Sequence, residues 1–144
     1  MALILPAVAR RGVDVINAAF AAFNEGDHEA TEALFADRVE IHSAIARTLH
    51  GDDVFHGRDG TRKWLASISD NLNFRVDVSE SLEHRGFVLA LATARVASLS
   101  GGPEFDQDYG IVARVEEGLI VYFESHLDAA AACASMAEHL RKGR

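Results

Sequence analysis

An α+β domain, with helices leading into a curved antiparallel sheet, is the fold class this sequence predicts. Three observations carry the prediction. Apolar residues recur at helical spacing over much of the stretch up to Ile68, the period falls to two from Phe74 onward, and turn-forming clusters then punctuate the chain at 83–86, 100–103 and 116–118. A chain of 144 residues with 49% hydrophobic content has the size and apolar share of one domain with a real core. No internal repeat, low-complexity tract or linker divides it.

Val13, Ile16, Phe20 and Phe23 recur at helical spacing, which predicts a first helix with one apolar face, ended by Gly26. Asp27 is placed to cap a short second helix with its carboxylate, and Leu34 and Phe35 are read as that helix's buried side. Val39 and Ile41 then alternate with Glu40 and His42 as in a half-buried strand. A third helix is expected from about Arg58 to Ser69, because Thr61, Trp64, Leu65 and Ile68 share a face and Asp70-Asn71 supplies the stop.

From Phe74 the alternation of Phe74, Val76 and Val78 with Arg75, Asp77 and Ser79 predicts a second strand. The third, Phe87 to Leu99, is apolar on both faces and is therefore expected to be central or doubly covered. Ser100-Gly101-Gly102-Pro103 makes a hairpin turn, and a centre near Gly102 would pair residues whose numbers sum to about 204. The returning strand, about Phe105 to Val115, presents Tyr109, Ile111, Ala113 and Val115 on one side and Asp108, Gly110, Val112 and Arg114 on the other. Beyond Glu116-Glu117-Gly118 lies a last strand, Leu119 to Leu127. Asp128 then caps a closing helix whose Ala129, Cys133, Met136 and Leu140 are spaced as a stripe. Strands two to five form an antiparallel meander.

Composition narrows the function classes. A net charge of −8, with no cluster of Lys and Arg outside the tail at 141–144, argues against a nucleic-acid partner. The lone Cys133 excludes an internal disulfide, and no Cys/His spacing of the zinc type is present. The apolar start Met1 to Pro6 is too short for a signal peptide, and no run is long enough to span a bilayer. A cytoplasmic protein with a loose segment at 1–11 and no metal or cofactor is the expectation.

The order helix, Gly-Asp break, short helix and strand across Phe23 to Ser43 is joined by three further landmarks: Phe55-His56-Gly57-Arg58-Asp59-Gly60, Gly118-Leu119-Ile120 and His126-Leu127-Asp128. In these the chain resembles the SnoaL-like branch of the nuclear transport factor 2 and ketosteroid isomerase superfamily, from about Val13 to Ala131. The resemblance implies a sheet curled around the helices into a cone with a pocket at its open end. Family members include isomerases, cyclases, hydratases, epoxide hydrolases and proteins with no chemistry, so the fold alone does not choose among them.

Compared with the isomerases, this sequence lacks the catalytic set. The position of the base aspartate falls on Ser43, that of the donor tyrosine on Ala19, and that of the strand acid near Ile111 to Ala113. The Arg-x-Asp of the epoxide hydrolases is absent from the strands. Arg95 is instead expected to meet Asp108 or Tyr109 across the hairpin, either as part of a site or as a simple cross-strand ion pair. Where the cyclases carry an acid/base aspartate, this chain has Glu124 and Ser125, with His126 just beyond.

Glu124 is read as sharing a face with Ile120, Tyr122 and His126. If that face lines an apolar cavity, desolvation raises the carboxyl toward the range of a general acid or base; if it faces outward, Glu124 and His126 are a solvated strand edge. His42, at the end of the first strand, is the other titratable candidate, against the alternative of a half-exposed strand-end histidine. His28, His50 and His56 are read as surface residues, and Phe20, Trp64 and Tyr109 as walls of the pocket.

The sequence thus predicts a pocket protein for a small, largely apolar organic molecule. Its catalytic candidates are His42, Asp108 and Glu124, and its ligand-binding candidates are Phe20, Trp64, Tyr109 and His126. The alternative is a non-catalytic ligand-binding or dimerisation module. A homodimer joined through the sheet is expected in either case, because a bare face of the long third strand would be a large apolar patch.

Overall fold

The computed structural model describes residues 11–51 and 54–142; of the segment 1–11, expected to be loose, all but Arg11 lies outside them. The first helix, α1, spans Gly12–Asn24 and buries Val15, Ile16, Ala19 and Phe20. Gly26, at φ +76°, turns the chain out of it. Asp27 caps α2 (His28–Glu32) by accepting from the Ala30 N–H at 3.0 Å, as expected.

That helix ends earlier than predicted. Phe35 belongs to strand β1 (Phe35–His42), where Phe35, Val39 and Ile41 are buried. Tertiary burial overrides the helical reading, because Phe35 packs between Trp64 and Phe123 with ring centroids 5.7 and 5.8 Å away.

Two elements go beyond the sequence reading. A short helix, α3 (Ala44–His50), begins at Ser43, whose hydroxyl accepts from the Ala46 N–H at 3.1 Å, and strand β2 (Val54–His56) pairs antiparallel with β1. Helix α4, Gly57–Ser69, agrees with the expected third helix and buries Thr61, Trp64, Leu65 and Ile68. Its Gly-Arg entry has a physical cause. Gly57 sits at φ +71° with the Asp37 carbonyl 3.2 Å from where a Cβ would be, and Arg58 ion-pairs with Asp37 of β1 and Glu32 of α2.

Strands β3 (Leu72–His84), β4 (Phe87–Ser98), β5 (Phe105–Glu116) and β6 (Leu119–His126) form the predicted meander. The sheet is nevertheless mixed rather than purely antiparallel. Its order is β2-β1-β6-β5-β4-β3, and β1 runs parallel to β6. It is not a closed barrel, but it is curled. Helix α4 touches both β1 and β3, which stand four places apart in the sheet, roughly 19 Å if it were flat. The concave face holds the main core around Ile16, Val39, Leu65, Ile111 and Phe123. Asn24 ties α1 to the edge strand β3 by bonding the backbone of Val76 twice, its amide N–H donating to the carbonyl at 2.8 Å and its oxygen accepting from the N–H at 2.9 Å.

The closing helix α5 (Ala129–Arg141) is capped by Asp128, as expected, and lies across the opposite face of the sheet. There Ala132 and Met136 pack on Phe87, Leu89 and Val112. This explains why β4 is apolar on both sides: the core covers one and α5 the other. Of the predicted stripe, Met136 is buried and Leu140 packs beside it, but Cys133 is exposed and Ala132 takes the buried place instead. Close approach sets the register of this contact. A Cβ on Gly110 would lie 2.6 Å from the Ala132 Cβ.

The hairpin registers also differ from the sequence reading. Residues of β4 and β5 pair with numbers summing to 201, so Arg95 faces Asp106; it bonds Asp106 at 2.9 Å and also Glu104, all exposed. Neither Asp108 nor Tyr109 is its partner. In β6 a bulge at Val121 shifts the alternation, so Ile120 joins the concave core while Tyr122, Glu124 and His126 face outward.

Candidate functional site

The sheet divides the residues singled out from the sequence. Phe20, Trp64 and Tyr109 line a cavity on the concave side, while His42, Glu124 and His126 line a cleft on the other side. Asp108 is exposed on the outward-facing parity of β5, opposite Thr93, and lines neither hollow.

The concave cavity is built from aromatics. Phe20 and Phe74 meet Tyr109 edge-on at 6.3 and 5.5 Å, and Trp64 and Phe123 lie 5.1 Å apart. These rings fill most of the space and leave about 20 Å³. One layer along the same faces of β3, β4 and β5 lies a wider apolar groove of about 170 Å³, between the sheet and α3, lined by Ile45, Leu49, Leu72, Val96, Phe105 and Leu127 among others. Strand parity puts the two hollows on one face in neighbouring layers: Leu72 precedes Phe74 on β3, and Phe105 and Gln107 precede Tyr109 on β5. Phe105 is half-exposed at the rim.

Few polar groups meet these hollows. Thr31 donates to the Asp27 carbonyl at 2.8 Å, and the Gln107 amide to the Leu127 carbonyl at 3.0 Å. Burial pushes the Tyr109 phenol well above its ordinary range, and a hydrogen bond with Ser125 offsets only part of this, so Tyr109 is a neutral hydroxyl. Trp64 is 5% exposed, and its indole Nε1–H has no acceptor among the described residues. Among the described residues, no carboxylate or imidazole lines either hollow.

The outer face carries the titratable groups. Register places His42 beside Glu124 across the parallel β1–β6 pair, with Glu40 beside Tyr122. His42 Nε2 lies 2.5 Å from Glu40, and its ring is 5.5 Å from that of Tyr122. Glu124 is 6% exposed and accepts from four side chains: Tyr122 at 2.8 Å, His139 at 2.7 Å, His126 and Ser135.

Burial alone would push the Glu124 carboxyl up. The hydrogen bonds from Ser135, His126, His139 and Tyr122 override it and hold the group down at about 2. This is the reverse of the shift expected for a general acid in an apolar pocket. Glu124 is instead a fixed anion clasping α5 to the sheet. Its neighbour Tyr122 is raised by burial and by the adjacent carboxylate. The cleft beside this cluster, about 280 Å³, is lined by His42, Arg47, Tyr122, Glu124 and His126 with the start of α3.

Ser135 and His139 escape the sequence reading, although their i, i+4 spacing beside Ala132 and Met136 marks a polar stripe flanking an apolar one. His28 is also less of a surface residue than expected, since it stacks on Phe23 and hydrogen-bonds Ser69 at 2.8 Å. Among the described residues, no group of three or more His, Cys, Asp or Glu side chains is arranged to hold a metal ion. The isomerase positions are equally bare of that chemistry: Ser43 caps α3, Ala19 lines the concave cavity, and Ile111 to Ala113 are buried apolar residues.

A mixed sheet curled over an aromatic hollow, with a helix closing one end, defines a small pocket-forming α+β domain. The sequence matches the SnoaL-like domain family across residues 16–123, and the chain belongs to that family. Among solved structures, it is similar to an NTF2-like protein of unknown function from Burkholderia pseudomallei, at 23% identity and a TM-score of 0.73 over 83% of this chain and 92% of that one. TerC, crystallised with polyporic acid, is similar at 22% identity and TM-score 0.73 over 83% and 93% of the two chains. A candidate polyketide cyclase from Pseudomonas putida follows at 17% identity and TM-score 0.72, again over 83% and 93%. No curated protein matches the sequence. No helix among the described residues is long and apolar enough to cross a membrane.

Proposed function

We propose that this protein binds a small, largely apolar organic molecule on the concave face of its sheet, in the groove beneath α3 and the aromatic cavity next to it. One observation carries the reading: both hollows are walled by aromatic and aliphatic side chains, and the titratable groups stand on the other side of the sheet. Such a surface recognises by burial and shape. The groove is smaller than the roughly 300–1,000 Å³ common for ligand pockets, which restricts the ligand to a small molecule. TerC, crystallised with polyporic acid, supports the reading by showing an organic molecule with a protein of this fold.

A second reading, acid/base catalysis, is favoured by the outer cleft, where the pairs His42–Glu40 and His126–Glu124 share one opening. There Glu124 would orient imidazoles as a fixed charge, and His42 would move the proton.

Thr48→Phe separates the two. Thr48 is exposed on α3 and lines the groove, so a larger side chain there obstructs the groove without entering the core. Small cyclic apolar ligands should raise the Tm of the unaltered protein by roughly 5–10 °C at a hundred times Kd. The variant should lose that shift. Binding untouched by Thr48→Phe, together with loss of binding in His42→Ala, would move the site to the outer face.

A further inference from the structure

Among the described residues that line the concave cavity, one buried side-chain donor has no partner. Thr31 bonds the Asp27 carbonyl, Gln107 the Leu127 carbonyl, and Tyr109 the Ser125 hydroxyl. Trp64 remains: it is nearly fully buried, it lines the cavity, and its Nε1–H has no acceptor among the described residues. Folded proteins pair nearly all buried donors, and a phenylalanine would fill an apolar wall without this cost.

We propose that the ligand of this face is a neutral molecule carrying a hydrogen-bond-accepting oxygen, such as a ketone, ester or ether, and that Trp64 recognises the oxygen through its indole N–H. This rests on the binding reading above and adds its substrate class. Three properties of the site select that class. An indole N–H only donates, so its partner is an acceptor and not an ammonium, the form an aliphatic amine takes at neutral pH. The cavity beside it, about 20 Å³, has room for one water-sized group such as a carbonyl oxygen, while the adjoining groove of about 170 Å³ takes the apolar body. Among the described residues no Lys, Arg or His lines either hollow, so a carboxylate would be desolvated there without a countercharge. Trp64 is thus a specificity residue in this reading. It sorts an oxygen-bearing ring from a hydrocarbon of equal shape.

Trp64 is the only tryptophan, so its indole N–H gives a single, unambiguous resonance in the ¹⁵N-labelled protein. The protein is titrated with cyclohexanone, with methylenecyclohexane, which replaces the oxygen by CH₂ at nearly constant shape, and with cyclohexylamine. Cyclohexanone should move the indole proton downfield and bind roughly tenfold more tightly than methylenecyclohexane. Trp64→Phe should lose or reverse that preference, because the ketone oxygen would then be buried without a donor, and the indole shift in the unaltered protein decides the matter if that variant folds poorly. Equal affinity for the two rings with an unmoved indole N–H overturns the proposal and leaves the apolar binding site standing. Preference for the amine overturns the acceptor class. No perturbation by any of the three overturns this proposal and the binding reading together.

Discussion

Replacing Glu124 by glutamine tests the clasp that holds α5 on the sheet. The carboxylate accepts from His139 and Tyr122 on one oxygen and from His126 and Ser135 on the other. Whichever way the introduced amide turns, two of these donors then face an NH₂ group. Hydrogen bonds to a charged acceptor contribute about 1.5–3 kcal/mol each, and part is recovered as Ser135 rotates and the imidazoles change tautomer.

The titration gives an independent magnitude. A carboxyl held at about 2 in the folded chain, against its ordinary 4.5 when unfolded, contributes on the order of 3 kcal/mol at neutral pH. The sign follows from the depressed folded value: the contribution is fully present above about pH 4.5 and is lost as the pH falls through about 2. Glu124→Gln should therefore cost about 2–4 kcal/mol at pH 7, a large part of the stability of an ordinary domain. The gap between the two proteins should narrow steadily below pH 4.5. Urea unfolding followed by Trp64 fluorescence, at pH 7 and at steps down to pH 3, measures both. A variant within about 0.5 kcal/mol of the parent at pH 7, or a gap indifferent to acid, would refute the clasp. Binding on the concave face should be unchanged, because Glu124 does not reach it.

Gly110→Ala should destabilise the protein by about 1–3 kcal/mol, since its Cβ would meet that of Ala132 at 2.6 Å and α5 must move outward; chemical denaturation reads the loss, and faster hydrogen exchange in α5 than in β5 locates it. Asn24→Ala should cost about 1–3 kcal/mol, because both polar atoms of the buried Val76 peptide lose the partners that tie α1 to β3. Asn24→Asp, which keeps one acceptor, should recover part of that loss in the same denaturation assay.

How far the fold is legible in the sequence depends on the range of the forces involved. The alternation of Phe74, Val76 and Val78 and the cap at Asp27 are local, so they can be read directly and hold in the structure. Phe35 defeats a local reading because its place in β1 is set by Trp64 and Phe123, neither of them a sequence neighbour. Helix α3 does carry a readable signal, with Ser43 as a cap and Ile45 and Leu49 four apart, but the segment is short and its apolar pair finds its partners in the sheet and α4. Of the site, Phe20, Trp64 and Tyr109 are recognisable as pocket walls because large apolar residues on predicted inner faces must meet. The separation of His42 and Glu124 from them is not.

By itself, then, the sequence determined the α+β class and the meander, which follow from periodicity and short-range turn and cap chemistry, and the SnoaL-like family, which follows from the resemblance of its landmark motifs. Tertiary structure alone decided which side of the sheet each chemical group occupies. A single unpaired residue in β6, Val121, reverses the alternation, and the two ends of that strand point by opposite parity. Side-chain period fixes facing only relative to a neighbour within an unbroken strand. Ser135 and His139 then reach Glu124 because Gly110 lets α5 settle against the sheet, and that contact holds the Glu124 carboxyl far below the range an apolar cavity would have given it.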